Sequence, residues 1–180
     1  MAEMLSILQQ ILVAGNETTT NLIASGMMIL VQRPELQERL RAEPDRIPTF
    51  VEEALQPRIP RPGPLPPGRR RYRNRRHAHP RRLPHPPLLR LRLNRDEAEF
   101  PHADEIDLDR EAPEGHLAFG RGIHYCLGAA LARLEARIAF TLLLQRLRAI
   151  RAAEGKNDYT HVPSVILRGL KALYLEFEPA

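Results

Sequence analysis

The chain has 180 residues, 43% of them hydrophobic, so length and composition permit one domain with its own core. Its formal charge of +5 is uneven: residues 57–93 hold 12 Arg, 10 of the 17 Pro and no acid, which leaves the remainder at −7 and excludes a uniformly basic protein. A single Cys excludes an intrachain disulfide framework and leaves either a buried thiol or a reactive one, while the absence of a basic leader or a membrane-length apolar run predicts a soluble, cytoplasmic chain.

Met4 to Val31 carries Leu5, Leu12, Ile23, Met27 and Leu30 at roughly helical spacing, which predicts a long, largely buried helix. Its middle, Ala14 to Thr20, holds Gly15 and three Thr. Gly costs about 1 kcal/mol against Ala in a helix and Thr bonds back to the preceding turn, so a kink is expected there. Pro34 to Ala42 and Pro48 to Leu55 each open on Pro and read as two short helices. In residues 57–93 the prolines remove backbone donors and the arginines repel one another, which predicts no packed element. Phe100 to Arg110 reads as an irregular loop and His116 to Cys126 as a glycine-bearing loop. Leu127 to Leu147 reads as a helix with Leu131, Leu134, Ile138, Leu142 and Leu143 along one side. Val162–Leu167 and Ala172–Phe177 read as two strands of a hairpin around Arg168-Gly169.

The chemistry concentrates in Phe119-Gly120-Arg121-Gly122-Ile123-His124-Tyr125-Cys126-Leu127-Gly128. A thiol set just before a helix start and near cations is favoured as thiolate. The glycines let the backbone approach a flat ligand, and their amides can donate toward the sulfur; such a site suits a thiolate bound to iron. Taken bare, a lone Cys is more often a small buried hydrophobe. The ten residues resemble the haem-binding loop of the cytochrome P-450 family, FGxGxHxCxG, at every specified position. That resemblance implies a haem cofactor with Cys126 as the axial thiolate on iron, Phe119 packed by the haem and sulfur, and His124 facing a propionate, with Gly120 and Gly128 completing the loop. Ala14-Gly15-Asn16-Glu17-Thr18-Thr19 resembles the family's oxygen-activation segment, AGxETT. By it Gly15 opens a groove for the cofactor, Glu17 relays protons, and Thr18 holds the bound oxygen through a hydrogen bond. Asn94-Arg95-Asp96, Phe100-Pro101 through Asp107 and Arg110 resemble the segment before the Cys loop, and Leu167-Arg168-Gly169-Leu170 resembles the terminal hairpin.

The implied protein is mainly α with small β elements, a single incomplete domain that covers the C-terminal half of the family's fold, of bacterial soluble type. The implied reaction inserts one oxygen atom of dioxygen into a small organic substrate, with electrons from a ferredoxin- or flavin-type donor. Arg121 and Arg133 are expected as surface cations, solvated or on the face where such a donor docks. Two departures stand out. The family's Glu-x-x-Arg pair is here Glu53 followed by Gln56, which would leave a buried Glu53 without its cation. The family's strands and a propionate-binding Arg fall where this chain has residues 57–93. Read one base later, Ile59 to Gly63 can become Ser-Pro-Val-Gln-Ala and His79 to Leu83 can become Ile-Pro-Ala-Gly-Ser, both typical of the family, so a shifted reading frame is the expectation for the block. With that block and only the C-terminal half, an inactive fragment is expected. The alternative makes Arg69-Arg70-Arg71, Tyr72 and Arg73 a basic arm for nucleic acid or other polyanions.

Overall fold

A computed structural model describes residues 2–56, 94, 96, 98–164 and 167–180. The expectations for 57–93, namely disorder, a shifted frame and polyanion binding, lie outside those residues, as does Arg95. The described elements run α1 (Ala2–Gln32), α2 (Pro34–Ala42), α3 (Ile47–Leu55), α4 (Ala129–Arg146), β1 (Leu147–Ala152) and β2 (Leu175–Pro179). They are mainly helical with one two-stranded sheet, as expected. No helix among the described residues is long and apolar enough to cross a membrane.

Helix α1 is unbroken through Ala14–Thr20, where the Thr18 hydroxyl donates to Ala14 O and that of Thr20 to Asn16 O at 2.9 Å. It is not largely buried. Met4, Leu5, Ile7, Leu8, Ile11, Leu12 and Val13 are exposed, and burial begins at Leu22. From there Met27, Ile29 and Leu30 join Leu36 and Leu40 of α2, Phe50 and Val51 of α3, and Ala136, Phe140 and Leu144 of α4 in one core. At its centre the Phe50 and Phe140 rings meet edge to face, 5.1 Å between centroids, a favoured aromatic geometry.

Two polar side chains tie the layers together. The buried Gln37 amide donates to Leu30 O (2.8 Å) and Ile150 O (2.9 Å), which joins α1, α2 and β1. The Arg41 guanidinium donates to Leu144 O and Leu147 O and so caps the end of α4, where helix carbonyls lack partners and cations are favoured.

Helix α4 packs through one of two apolar faces. Ala129, Ala136, Phe140 and Leu144 are buried, while Leu131, Leu134, Ile138 and Leu142 are exposed on the opposite side. The helix is apolar on two faces, and small residues on one of them allow the closer approach. The terminal hairpin also differs. Its turn survives as backbone bonds Val162 N–H to Gly169 O and Lys171 N–H to Thr160 O, both 2.9 Å. The strand Leu175–Pro179 instead pairs antiparallel with Leu147–Ala152, which follows α4 directly. There Arg148 faces Glu178 and Arg151 pairs with Glu176 at 2.9 Å, opposite charges across the strands that favour this partner.

Gly26 is required by packing, since a Cβ there would overlap the buried Phe140 ring. Gly26→Ala is therefore expected to destabilise the chain by about 1–3 kcal/mol in urea unfolding, overpacking outweighing the gain in helix propensity. Adding Phe140→Leu should restore part of the loss.

Candidate functional site

The site is organised by two adjacent carboxylates on α3, Glu52 and Glu53, both buried. Helical geometry turns neighbouring side chains about 100° apart, so each reaches a different segment. Glu53 receives Arg110 Nε at 2.7 Å, Gln56 Nε2 at 3.2 Å and the Asp107 backbone N–H at 3.1 Å. The expectation that Glu53 lacks a cation is thus corrected: with Gln at position 56, Arg110 from the loop supplies the charge. Arg110 also donates to Pro101 O (2.9 Å), while Arg39 holds Asp109 through two 2.8 Å bonds. The Phe100–Arg110 loop is irregular, as expected, and is fastened to α2 and α3.

Glu52 turns toward the Cys loop. It receives Arg133 Nε (2.7 Å) and Nη2 (2.9 Å) in a bidentate pair, and His116 Nε2 lies at 3.1 Å. His116 Nδ1 accepts from Ala118 N–H, which leaves Nε2 as the donor to Glu52. Arg133 is therefore not a surface cation. Its side chain is 24% exposed, its guanidinium lies 4.5 Å from the Phe119 ring centroid, and Nη1 donates to the Tyr125 hydroxyl at 3.1 Å. Asn94 Oδ1 accepts Leu117 N–H at 2.7 Å and fixes the approach to the loop.

The loop itself is closed by Cys126 N–H donating to Phe119 O at 2.9 Å. Gly120 and Gly122 adopt φ of 75° and 68°, the left-handed region where a side chain is strained. Gly122–His124 form one 3-10 turn closed by Tyr125 N–H to Gly122 O. Gly128 stands as the N-cap of α4, so Cys126 does precede a helix start. Cys126 is a free, exposed thiol and not a buried hydrophobe; Arg121 and His124 are exposed beside it. Ile123 and Leu127, at 97% and 98% exposure, flank it.

Gly15, Glu17 and Thr18 lie on the exposed half of α1. A Cβ at Gly15 would meet nothing within 4 Å. Glu17 borders a shallow open depression with Leu12, Val13, Asn16, Thr20 and Asn21. No hydrogen bond or ring contact among the described residues links this segment to the Cys loop. The two are related through the packing of α1 on α4 at Gly26 and Phe140. Sequence reasoning missed Glu52, His116 and the inward role of Arg133. Their partners lie 64 and 81 residues apart along the chain, beyond any local pattern.

Comparison with known proteins points to one family. The family profile described as Cytochrome P450 matches residues 88–175. Cytochrome P450 144 of Mycobacterium tuberculosis is 41% identical over 168 residues, 90% of this chain and 36% of that protein. Mycinamicin IV hydroxylase/epoxidase of Micromonospora griseorubida is 39% identical over 181 residues, 93% of this chain and 42% of that protein. The structure of substrate-free cytochrome P450 CYP150A6 from Mycobacterium marinum superposes with a TM-score of 0.74 at 30% identity, covering 94% of this chain and 43% of that one. The chain is similar to cytochrome P450 proteins over nearly its whole length and spans about two fifths of the length of these relatives. That similarity implies haem with a cysteine-thiolate iron ligand.

The residues present fit that cofactor. A soft sulfur donor stands exposed between two apolar side chains, and a Cβ at Gly122 or Gly128 would meet nothing within 4 Å. The apolar stripe Leu131, Leu134, Ile138 continues from Leu127 along α4. Among the described residues no three His, Cys, Asp or Glu converge as a metal site.

Burial by itself would raise the Glu52 carboxyl, but the bonds from His116 and Arg133 more than offset it and hold its pKa below the ordinary 4.5. The pair's contribution to stability is therefore fully present above about pH 4.5 and is lost as pH falls through the depressed folded value. Urea unfolding followed between about pH 6 and pH 3 should show a steeper loss for the native chain than for Glu52→Gln, and the variant should be weaker by about 1–3 kcal/mol at neutral pH.

Proposed function

We propose that this chain forms the iron-ligating and oxygen-activating portion of a haem-thiolate monooxygenase, which inserts one oxygen atom of dioxygen into a small organic substrate. The observation that carries the reading is the exposed Cys126 thiol presented by a loop with left-handed Gly120 and Gly122, closed by the Cys126–Phe119 backbone bond. In this reading Cys126 holds the iron as thiolate, Phe119 and Gly120 shape the loop beside it, and Gly128 starts the helix that runs beneath the cofactor. His124, exposed on the same loop, receives a propionate. The haem, when bound, supplies an iron at which dioxygen is bound and reduced.

Residues of α1 manage protons. The Thr18 hydroxyl donates to Ala14 O, which leaves its oxygen free to accept from water or from an iron-side group, and Glu17, one residue before it at an open depression, exchanges protons with solvent. Gly15, with no neighbour over its Cα, leaves space on the helix for the cofactor. Electrons come from a ferredoxin- or flavin-type donor, with the exposed Arg121 available on the loop's surface. A cytoplasmic setting accords with a lone thiol that must stay reduced. Turnover by these 180 residues alone is not expected, because the apolar faces of α1 and α4 that would line a substrate chamber stand open to water and enclose nothing.

The test is haem titration of the purified chain followed by the spectrum of its reduced carbon-monoxide complex. A strongly red-shifted Soret band is expected, lost in Cys126→Ala, while the unfolding free energy of that variant stays within about 0.5 kcal/mol of the native chain because the side chain is exposed. Failure to bind haem, or an unshifted band, would overturn the reading.

A further inference from the structure

Arg133 meets three groups whose separation in sequence hides their common role. Its Nε and Nη2 are held by the buried Glu52 carboxylate on α3, its Nη1 donates to the Tyr125 hydroxyl, and its guanidinium carbon lies over the Phe119 ring, 4.5 Å from the centroid. Phe119 and Tyr125 are the two ends of the loop that presents Cys126, and their rings stand 6.5 Å apart. His116, on the other side of Phe119 at 6.2 Å between centroids, bonds the same carboxylate. One guanidinium thus fastens both ends of the loop to a rigid helix.

We infer that Arg133 is a positioning residue for the Cys126 thiolate, acting through Phe119 and Tyr125 with Glu52 as its anchor. The inference rests on the reading of Cys126 as the iron ligand. The chemistry requires Arg: a planar fork satisfies Glu52 through two bonds, keeps a third donor for Tyr125 and offers a flat face to Phe119. Lys keeps the charge but has neither fork nor plane. The shift in protonation agrees with the geometry, since the bond to Glu52, opposed by burial, raises the Arg133 pKa above its ordinary value and the guanidinium stays charged. Without this clamp the left-handed turns at Gly120 and Gly122 are held mainly by backbone bonds of the loop itself.

Amide hydrogen exchange, resolved by residue in the purified 180-residue chain, tests this without turnover. The Cys126 N–H, bonded to Phe119 O, reports the loop, and the Ala153 N–H, bonded to Tyr174 O, reports a region remote from Arg133. In Arg133→Lys, exchange at Cys126 should rise about tenfold, which corresponds to about 1.4 kcal/mol of local opening, with Ala153 unchanged. Tyr125→Phe, which removes one bond from a half-exposed side chain, should act in the same direction by a smaller factor and serves if the Lys variant fails to fold. Haem affinity should fall with the same order across the two variants. Unchanged exchange at Cys126 in both, or equal acceleration at Cys126 and Ala153, would overturn the clamp. If the native chain binds no haem, the ligand assignment fails instead, and the exchange rates still decide whether the loop is held by Arg133.

Discussion

Two buried carboxylates side by side on one short helix set the constraint that the rest of this chain answers. Removing an ion from water carries an effective penalty of several kcal/mol even after relaxation, so neither Glu52 nor Glu53 is tolerable unless cations and N–H donors reach it. The donors come from opposite directions: Arg110 and the Asp107 amide from the loop before the site, Arg133 and His116 from α4 and the run into the Cys loop. Because Glu52 accepts from two segments and Glu53 from the loop before the site, all of these are fixed relative to α3. A loop that would otherwise be irregular chain acquires one conformation, and the thiol it carries acquires one position.

The same bonds reach a stretch whose glycines and turns give it little regular structure of its own. The loop from Phe119 to Cys126 contains no regular element longer than one 3-10 turn, yet its ends meet through a 2.9 Å backbone bond and both bear on Arg133. Substituting Gln for Arg at position 56 does not empty the Glu53 site, since Arg110 already carries the compensating charge and Gln56 adds a neutral donor. The charge balance around α3 is therefore shared among segments, and removal of one contributor is buffered by the others.

Much of this was legible in the sequence, and the boundary is physical. Helices with Pro at their first turn and the irregular Phe100–Arg110 stretch are local patterns that the fold bears out, whereas the kink expected at Ala14–Thr20 is absent because the surrounding turns continue the helix. The other kinds of information that failed are non-local. Glu52 and Arg133 are unremarkable as single charges; only the fold brings them together. The choice between the two apolar faces of α4 depended on which neighbour could approach, and Leu175–Pro179 left its nearest strand for a partner with opposite charges. For Glu53 the error was one of counting, because the cation expected at position 56 was treated as irreplaceable when Arg110 was within reach.

The two-faced character of α4 links stability to the cofactor. One face is closed by Ala129, Ala136, Phe140 and Leu144; the other carries Leu131, Leu134, Ile138 and Leu142 into water, and it begins beside Cys126. Apolar surface left in water forgoes about 25 cal/mol per Å² relative to burial. Any group that covers this stripe while its metal takes the thiolate recovers that energy in the folded state alone, since an unfolded chain offers no continuous stripe and no fixed thiol. Binding and folding then reinforce each other by mass action. Arg133 lies on the packed face, one turn after Ala129, so the Glu52–Arg133 pair continues that face toward the thiol end of the helix. It draws the thiol end of α4 toward α3 and leaves the outward stripe beside the sulfur, so that one ion pair both completes the packed core and aims the surface that the cofactor would cover.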